Sequence, residues 1–588
     1  MQPASNITNL TEELASAFST TPGSDDAFLQ QCAGLCKTFN ISPIDLYYKW
    51  ESLVISNSAA GARIINKDTV HAIRSLLQSE LTKAAKASSK RPDLNRAVRG
   101  RGAGILGLAP RRNAGFPEIG LVKPALGDRF ASSSDNRRAG PSKVSFQYQD
   151  DEVSKGKHSY RYMYEKISER SEVLDDRIDD FGELVKEHYG ISELGDPSAS
   201  TDDEIFIVGR ITLDSESSSS GAVKLNEASL CLESSRMMGS GVRVPLKFGP
   251  HVKVRSGLKG MSGFGLFPGA IVALKGKNGG GGWFLASEIL TLPPLKPSHA
   301  NPSVLKPDSR DTSFSMVIAS GPYTPDADLR YQPWLTFLQS IKSQKPTLVL
   351  LIGPFIDSNH PQLKSGDIDE TPVDMFFTRF TENLRDFLDV SPDSLVLLIP
   401  SVRDIISQHV VYPQSELGAE FSKDPRILLL PNPCQFSVNG INFAVSSVDV
   451  LFHLRKEELV KRVEEVDTIA TGSEDNGTDT MANTCRHLLQ QRSFYPIFPV
   501  PVDLSHEVNL DVSHSKSLDL CPDDSAGYAP DVLIVPSRLK HFSKVVDDTV
   551  AINPSFLTKG VSATLKFDGH GAGPTKSRIT VNVGRAAE

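Results

Sequence analysis

The chain has 588 residues, with 63 lysine and arginine side chains against 71 aspartate and glutamate side chains, so its formal net charge is −8. This charge argues against a protein that coats nucleic acid over its whole surface, although it leaves room for a local basic patch. Apolar residues make up 39% of the chain and charged residues 23%, a composition that argues against wholesale disorder. At roughly 100–200 residues per domain, the length predicts three or four structural units.

No stretch has the length or composition of a membrane anchor or a secretion signal. The longest apolar runs, Thr347–Ile352 and Ser394–Pro400, are far shorter than the ~20 residues that span a bilayer. Six cysteines, none in a Cys-x-x-Cys pair, fit a reducing compartment and no zinc finger. We interpret Cys32 and Cys36 as buried apolar residues, because no second pair follows at metal-ligand spacing. The sequence predicts a soluble intracellular protein with no membrane contact.

Residues 1–88 are predicted to form a small α-helical module. Asp25–Phe39 carries apolar side chains at helical spacing. Ser42-Pro43 is typical of an N-cap followed by proline in the first turn, and it opens a helix over Ile44–Ser56. A third apolar stripe lies within Asn66–Leu81. Because the module carries no catalytic constellation, we expect it either to dock a partner or simply to fold against a neighbour.

Residues 89–158 are predicted to be a disordered basic linker rich in glycine, proline and serine. The Gly-rich fragment Arg99–Gly104 follows no strand and opens no helix, so it is not interpreted as a phosphate loop. A nuclear-import signal, a nonspecific nucleic-acid contact and a plain solvated linker all fit the composition. The basic residues begin just before this range and are Lys83, Lys86, Lys90, Arg91, Arg96, Arg99, Arg101, Arg111 and Arg112.

Residues 159–300 are predicted to form a long helix, Tyr160–Tyr189, followed by a small closed β-barrel of the OB-fold type. The glycine run Gly279–Gly282 is interpreted as a flexible hairpin tip. A phosphate-binding loop would be followed by a helix, and here a predicted strand follows. The predicted strands are Glu204–Leu213, Val223–Leu232, Val242–Leu246, Gly269–Lys275 and Gly282–Leu290.

Residues 311–588 are predicted to form an α/β domain. Its strands are apolar on both faces and alternate with helices, which indicates a sheet covered on both sides. The acidic, turn-rich stretch Glu464–Met481 is interpreted as a mobile surface insertion. The predicted strands are Ser315–Ala319, Thr347–Ile352, Ser394–Ile399, Arg426–Leu430, Ile441–Val445 and Asp531–Val535, and the predicted helices are Leu329–Ser343 and Met375–Leu388.

The turns at the ends of these strands lie where an α/β protein normally places its site. Their order resembles that of the calcineurin-like metallophosphoesterases, whose turns read Asp-x-His, Gly-Asp-x-x-Asp, Gly-Asn-His-Asp/Glu and Gly-His-x-His. In that family these side chains hold two metal ions about 3.5–4 Å apart, which activate water and clamp a phosphate. The matching positions in this chain are Ser320, Pro322, Pro354, Asp357, Val402, Arg403, Asp404, Ser537 and Arg538.

The chain resembles that family in the order of its strands and turns, but most of the metal-ligating residue types are replaced. Proline and valine have no side-chain donor for a metal, and arginine brings a positive charge to a place built for cations. Only Asp357 and Asp404 remain as carboxylates, and two isolated carboxylates do not hold a pair of metals. We therefore expect no catalytic residue, no metal and no cofactor in this domain. Asp357 and Asp404 are expected to cap turns or helices, with Arg403 neutralising one of them.

An OB-like barrel followed by an inactivated phosphoesterase domain resembles the B subunits of the eukaryotic replicative DNA polymerases, and most closely the branch that belongs to the polymerase alpha–primase complex. The match runs over essentially the whole chain and is strongest from Tyr160 onward. The stretches that carry it are Arg161–Glu165, Leu351–Asp357, Pro400–Asp404, Val411–Gln414, Asp449–Leu454, Gln491–Pro496, Pro530–Pro536, Ile552–Pro554 and Leu557–Gly560.

The resemblance implies a noncatalytic scaffold in the nucleus that supports initiation of DNA replication and RNA–DNA primer synthesis. Its implied partners are the C-terminal zinc domain of the polymerase alpha catalytic subunit, the primase subunits through the complex, and other replisome proteins through the N-terminal module. Family members are typically phosphorylated at Ser/Thr-Pro sites in the linker. In this chain the linker prolines follow arginine, alanine, phenylalanine, lysine and glycine, so the sequence does not predict phosphorylation at this usual location.

Alternative functions stay open at this point. One is a B subunit of the delta or epsilon polymerase, although the long basic tether and the Tyr160 helix favour alpha. A metal-dependent phosphodiesterase with an unconventional site is another. A third is an OB-fold protein that binds single-stranded DNA, with core packing as the simpler interpretation of its aromatic residues. The candidate barrel residues for that third role are Phe206, Phe248, Phe264, Phe267, Trp283 and Phe284 with Lys224, Arg243, Lys247, Lys253, Arg255 and Lys275.

Overall fold

The chain divides into two compact units, Met1–Arg129 and Phe130–Glu588, which are described separately. The computed structural model describes Leu14, Leu29, Cys32, Ala33, Leu35, Cys36 and residues 41–48, 144–148, 166–214, 224–260, 263–298, 313–468, 477–521, 527–570 and 573–585. Among these residues, no helix combines the length and the apolar composition needed to cross a membrane.

The described residues of the first unit are mainly helical. Leu29, Cys32, Leu35 and Cys36 are buried, as the helical period of this stretch predicts. Ser42 caps the next helix, because its hydroxyl accepts a hydrogen bond from the Asp45 backbone N–H at 3.2 Å. The third predicted helix lies outside the described residues, as does the predicted linker apart from Val144–Tyr148.

The second unit contains the predicted closed barrel of five strands. They are β2 (Ile205–Leu213), β3 (Leu230–Glu233), β4 (Arg243–Arg255), β6 (Ile271–Lys277) and β7 (Phe284–Leu290). The strand order is β4-β3-β2-β6-β7, and β7 pairs with β4 to close the ring. Core side chains such as Ile207, Leu246 and Phe284 fill the interior.

Two barrel strands differ from the prediction. Val223–Leu232 was predicted to be one strand, but only Leu230 onward is extended. Before it, the Asn226 side chain accepts hydrogen bonds from the backbone N–H groups of Ala228 at 3.0 Å and Ser229 at 3.1 Å, which makes a turn. The strand predicted over Val242–Leu246 instead runs on to Arg255, because its second half also pairs with β7.

Helix α1 (Ile167–Tyr189) packs on the outside of the barrel through Ile178, Phe181 and Val185, against Val208 and Ile271. It ends at Gly190, whose φ of +64° is a backbone conformation that favours glycine. The predicted start at Tyr160 lies outside the described residues. A short helix, α2 (Arg236–Gly239), joins β3 to β4.

The rest of the unit is built on two six-stranded sheets. Their strands are β1 (Phe146–Tyr148), β8 (Phe314–Ser320), β9 (Leu348–Ile352), β10 (Leu395–Ile399), β11 (Ile427–Leu429), β12 (Cys434–Val438), β13 (Ile441–Val445), β16 (Val532–Ile534), β17 (Phe542–Val546), β18 (Thr549–Asn553), β19 (Val561–Phe567) and β20 (Ile579–Arg585). The first sheet has the order β11-β10-β9-β8-β19-β20, and the second β1-β12-β13-β16-β18-β17. Apolar side chains of the two sheets form one core.

Helices cover the outer face of the first sheet and the face of the second sheet that is turned toward the barrel. They are α3 (Gln332–Gln344), α4 (Pro361–Ser365), α5 (Pro372–Phe376), α6 (Glu382–Val390), α7 (Val450–Glu457), α8 (Thr480–Gln490), α9 (Ser505–Val508) and α10 (Thr575–Arg578), with 3-10 turns at Ala419–Phe421, Val502–Leu504, Val512–Leu518 and Leu557–Lys559. A π-helical stretch, Phe377–Thr381, continues α5 into α6.

Three expectations for this region are wrong. The predicted strands end with Asp531–Val535, whereas β17 to β20 follow it in the structure. The stretch Glu464–Met481 is not simply a surface insertion: β15 (Glu464–Val466) pairs in parallel with β4 of the barrel at Lys253–Arg255, and α8 begins at Thr480. Phe146–Tyr148 lies within the predicted linker yet pairs with β12 at the edge of the second sheet.

Further contacts join the barrel to the two sheets. β5 (Gly263–Leu266) of the barrel region pairs with β14 (Leu459–Arg462). The Gln491 amide accepts from the Ile271 N–H and donates to the Ile271 carbonyl, each at 2.9 Å. Phe498 donates its N–H to the Pro268 carbonyl at 3.0 Å. Backbone-directed bonds of this kind fix orientation, so the barrel and the sheets form one platform.

Candidate functional site: a groove at the ends of the parallel strands

The turn after β8 is closed by bonds within itself and to its neighbour. Ser320 is buried, and its hydroxyl donates to the Gly321 carbonyl at 3.4 Å. The Tyr323 hydroxyl lies within hydrogen-bond distance of the Ala319 carbonyl at 3.2 Å and of the Ile352 carbonyl at 3.0 Å. A side chain on Gly321 would collide with the Pro354 carbonyl, so the turns after β8 and β9 touch through their backbones.

Asp404 joins the turns after β9 and β10. It is fully buried, and its carboxylate accepts backbone N–H groups from Ser401 at 2.8 Å, Ile356 at 3.1 Å and Phe355. Burial raises the pKa of Asp404 to about 7, although the three hydrogen bonds act to lower it. A carboxylate that is committed to three backbone donors has little capacity left for an external ligand.

Asp357 is neutralised by Arg403. The arginine Nε donates to Asp357 Oδ1 at 3.1 Å, and a terminal nitrogen donates to Oδ2. The Asn359 N–H also donates to Oδ1, at 2.9 Å. Arg403 is expected from the sequence to neutralise one of the two aspartates, and the structure shows that the partner is Asp357. Val402 between these turns is buried.

Reversing the charge at Arg403 is expected to destabilise the fold. The Arg403→Glu variant places a second carboxylate beside Asp357, whose exposed fraction is 7%. Because Arg403 is partly solvated, we expect a loss of about 2 kcal/mol in the free energy of unfolding. Urea denaturation measures it, with the exposed Arg330→Glu as the matched control. An unchanged stability combined with loss of a phosphodiesterase activity would contradict a structural role.

Ser537 and Arg538 lie in a separate network after β16. The Ser537 N–H donates to Asn553 Oδ1 at 2.9 Å. Arg538 donates from its backbone N–H and from Nε to Asp449, both at 2.9 Å, and a terminal nitrogen donates to Glu507. The buried His453 also contacts Glu507, at 3.3 Å. Burial alone would raise the pKa of Glu507, but the hydrogen bond with His453 and the charge of Arg538 lower it to about 2.

Asp449, His453 and Glu507 are members of this network that the sequence pattern alone does not predict. The sequence does carry a signal for Asp449, because an aspartate before an apolar helical stretch is typical of an N-cap. In the structure it caps α7 by accepting the Phe452 N–H at 3.2 Å. Glu507 carried no comparable signal, since it belongs to a short helix on a distant part of the chain.

The polar residues among the matching positions are therefore held by bonds within the protein, at the turns after β8, β9 and β10 and in the separate network after β16. Among the residues that the structure describes, no cluster of three or more histidine, cysteine, aspartate or glutamate side chains is arranged to hold a metal ion. The donors that are present already have partners: Asp357 has Arg403, and Asp404 has three backbone N–H groups. This donor set does not fit the two-metal centre of the metallophosphoesterases.

Beside these turns lies an open groove of about 640 Å³. Its apolar surface includes Val402, Val410, Phe498 and Leu510, and Arg170, Ser358, His506 and Asn509 add polar groups. Val410 is 42% exposed, and Val502, two residues beyond the lining residue Val500, is 86% exposed. Exposed aliphatic side chains around a groove are typical of a surface that binds another protein. Sequence reasoning missed this groove, because its walls come from four separate segments of the chain.

Comparison with known proteins identifies the family. A family model for the B subunit of DNA polymerases alpha and epsilon matches residues 316–544, and a model for the OB domain of the DNA polymerase alpha B subunit matches residues 171–292. The solved structure of TT1561 of Thermus thermophilus matches 47% of this chain and 99% of its own chain at 9% identity. Its TM-score of 0.19 is too low to support an argument.

Three relatives are named as the B subunit of DNA polymerase alpha. The relative from Saccharomyces cerevisiae is 32% identical over 68% of this chain and 58% of its own length, and that from Rattus norvegicus is 30% identical over 68% and 60%. The relative from Schizosaccharomyces pombe is 31% identical over 92% of this chain and 93% of its own length. This last match extends over nearly the whole of both proteins, and the chain therefore belongs to the family of DNA polymerase alpha B subunits.

Proposed function

We propose that this accessory subunit of DNA polymerase alpha acts as a noncatalytic scaffold and binds the C-terminal zinc domain of the catalytic subunit. Through that contact it would connect the polymerase to primase, so that an RNA primer made at one active site is extended with DNA at the other. Family membership supports the accessory role. The groove supports a docking function on this particular chain.

The same proposal includes the loss of phosphoesterase chemistry. Pro322, Pro354 and Val402 offer no side-chain donor to a metal. Arg403 and Arg538 place positive charge at positions where metallophosphoesterases hold cations. Asp357 and Asp404 are bonded within the protein and serve the fold instead. The scaffold of a hydrolase then serves as a rigid surface for recognition.

The single observation that carries the docking proposal is the position of the groove. It lies at the strand ends, is lined by apolar side chains, and includes Arg170 of the helix that packs on the barrel. Phe498, which lines it, also bonds to the barrel through Pro268. A partner seated there would contact α1 and the phosphoesterase-like part together, as expected for a scaffold that holds one domain firmly.

Two charges in the groove should weaken this docking. We expect the double variant Val410→Asp/Val500→Asp, at two residues that line the groove, to bind the catalytic subunit's C-terminal domain at least tenfold more weakly than the wild type, because an unpaired carboxylate cannot be buried in an apolar contact without a large desolvation cost. Co-expression of the full chain with that domain, followed by size-exclusion chromatography at physiological salt, measures the 1:1 complex.

The matched control is Val373→Asp/Val390→Asp, because these valines are 40% and 44% exposed on α5 and α6 and do not line the groove. We expect the control to bind as the wild type does. Wild-type binding by the groove variant would reject the groove as the docking site. Failure of the wild-type chain to form any complex would reject the scaffold proposal itself.

The wider organisation follows from the same proposal. We divide the chain into an N-terminal partner-binding module at 1–88, a basic linker at 89–158, the helix and OB domain at 159–300, and the phosphoesterase-like domain at 311–588. The two family matches lie inside the last two ranges and support them. The N-terminal module would bring other replisome proteins to the complex, and we place the protein in the nucleus on the strength of its family.

A further inference from the structure

A row of lysine, leucine and lysine crosses the outer face of the barrel. Leu285 on β7 pairs with Lys247 on β4 and with Lys277 on β6. All three side chains are exposed, whereas the alternate residues Phe284 and Ala286 point into the core. Since neighbouring strands are nearly 5 Å apart, the two lysines flank Leu285 at a separation of about 10 Å.

Trp283 lies next to this row, because it immediately precedes β7 and stands two residues before Leu285. The indole is 40% exposed and Leu285 is 39% exposed. Phe267 and Phe284 are buried, and the partly buried Phe206, Phe248 and Phe264 pack against the cores. Trp283 is thus the candidate barrel aromatic for which core packing gives no explanation.

The two lysines of the row differ from most other cations of the barrel. Arg243 is paired with Glu233, Arg255 with Glu288, and Lys275 with Glu204. Within the described residues, neither Lys247 nor Lys277 has a carboxylate at ion-pair distance. Instead, the Lys247 ammonium lies 3.7 Å from the centre of the Trp283 ring. The row therefore carries two positive charges that form no ion pair within the described residues, and Glu204 acts on Lys277 only at longer range.

The Trp283 ring packs against the backbone at Gly281. A side chain on Gly281 would come within 2.7–2.9 Å of three ring atoms, so only glycine lets the loop lie against the indole. The flexible Lys247 side chain covers a face of the ring, with its ammonium 3.7 Å from the ring centre. A planar base is able to take that face when Lys247 moves aside, and the displaced ammonium is then close to the phosphate of the same nucleotide.

From these contacts we propose that Trp283, Leu285, Lys247 and Lys277 form a binding site for single-stranded nucleic acid on the barrel. A base stacks on the indole, Leu285 contacts the next base or sugar, and the two lysines bind phosphates. The site accepts any sequence, because it offers a ring face and charges but no group positioned to read base edges. It uses none of the residues that line the docking groove.

Fluorescence anisotropy with a fluorescein-labelled 20-mer of thymidylate tests this site on the full chain. We expect Trp283→Ala to weaken binding at least tenfold, and Trp283→Phe to retain part of the affinity because a phenyl ring still stacks. Lys247→Glu/Lys277→Glu should weaken binding and flatten the plot of log affinity against log salt by about 1.4, since each phosphate contact on a single strand contributes about 0.7 to that slope.

The control Lys364→Glu/Lys423→Glu changes the net charge equally at exposed lysines elsewhere and should leave binding unchanged. Photo-crosslinking of the same oligomer carrying 5-iododeoxyuridine should label the peptide that contains Trp283. Wild-type affinity in both barrel variants, with labels only in residues 89–143, would overturn the site and assign binding to the basic segment. Normal oligonucleotide binding with loss of the catalytic subunit would overturn it in favour of a protein contact.

Discussion

Replacing Asp404 by alanine is expected to cost about 3–5 kcal/mol in the free energy of unfolding. The substitution leaves the backbone N–H groups of Phe355, Ile356 and Ser401 buried without an acceptor, and each unsatisfied group costs about 1–3 kcal/mol. It also opens a space beside Gly353, whose α-carbon faces the carboxylate. Urea denaturation followed by tryptophan fluorescence measures the loss, since Trp334 is buried in the adjacent aromatic cluster.

Asp404→Asn adds a pH test of the same contact. The pKa of Asp404 is raised to about 7 in the folded chain, against about 4 in an unfolded one. A raised folded pKa means that the stabilising contribution is complete below pH 4 and is lost as the pH rises through 7. Asparagine has no such loss, so the cost of Asp404→Asn should shrink by about 2 kcal/mol between pH 5 and pH 8.

The control for both variants is Asp386→Ala, an exposed aspartate on α6 that should change stability by less than about 0.5 kcal/mol. A pH-independent cost for Asp404→Asn would show that the carboxyl is ionised throughout this range. Equal stability of Asp404→Ala and the control would show that the turns after β9 and β10 do not depend on this carboxylate.

The sequence predicted the parallel strands of the first sheet well, because strands buried on both faces are nearly continuous apolar runs. Thr347–Ile352 and Ser394–Ile399 illustrate this, and both correspond to observed strands. The hairpin of β19 and β20 was missed although Val561–Phe567 alternates between buried and more exposed positions. The acidic β15 gave no strand signal at all, since its reason to be extended is the distant strand β4.

For the candidate site, as for the fold, the sequence predicts local features but not contacts between distant segments. The pairing of Arg403 with an aspartate follows from residue types in turns that the sequence already located. The partners of Arg538 do not, because Asp449 and Glu507 reach it from 89 and 31 residues away. The groove could not be predicted, because long-range packing brings the helix on the barrel next to residues 498–510, and no local sequence pattern encodes that packing.

Gly269→Ala is expected to weaken the whole platform. Gly269 has a φ of +95°, and a Cβ there would collide with the backbone at Pro496 and Phe498, which cannot move without breaking the bond from Phe498 to Pro268. We expect a loss of about 3 kcal/mol or more in the free energy of unfolding, since backbone strain and a backbone collision add. Thermal unfolding and limited proteolysis between the barrel and the sheets measure the effect.

A matched control separates the collision from the strain. Gly260 also lies in a barrel turn with a φ of +87°, but a Cβ there meets nothing within 4 Å, so Gly260→Ala should cost only about 1 kcal/mol. Because Phe498 lines the groove, Gly269→Ala should also reduce binding of the catalytic subunit's C-terminal domain, whereas Gly260→Ala should not. Equal effects of the two variants would mean that the barrel and the sheets need no fixed contact at Gly269 to hold their partner.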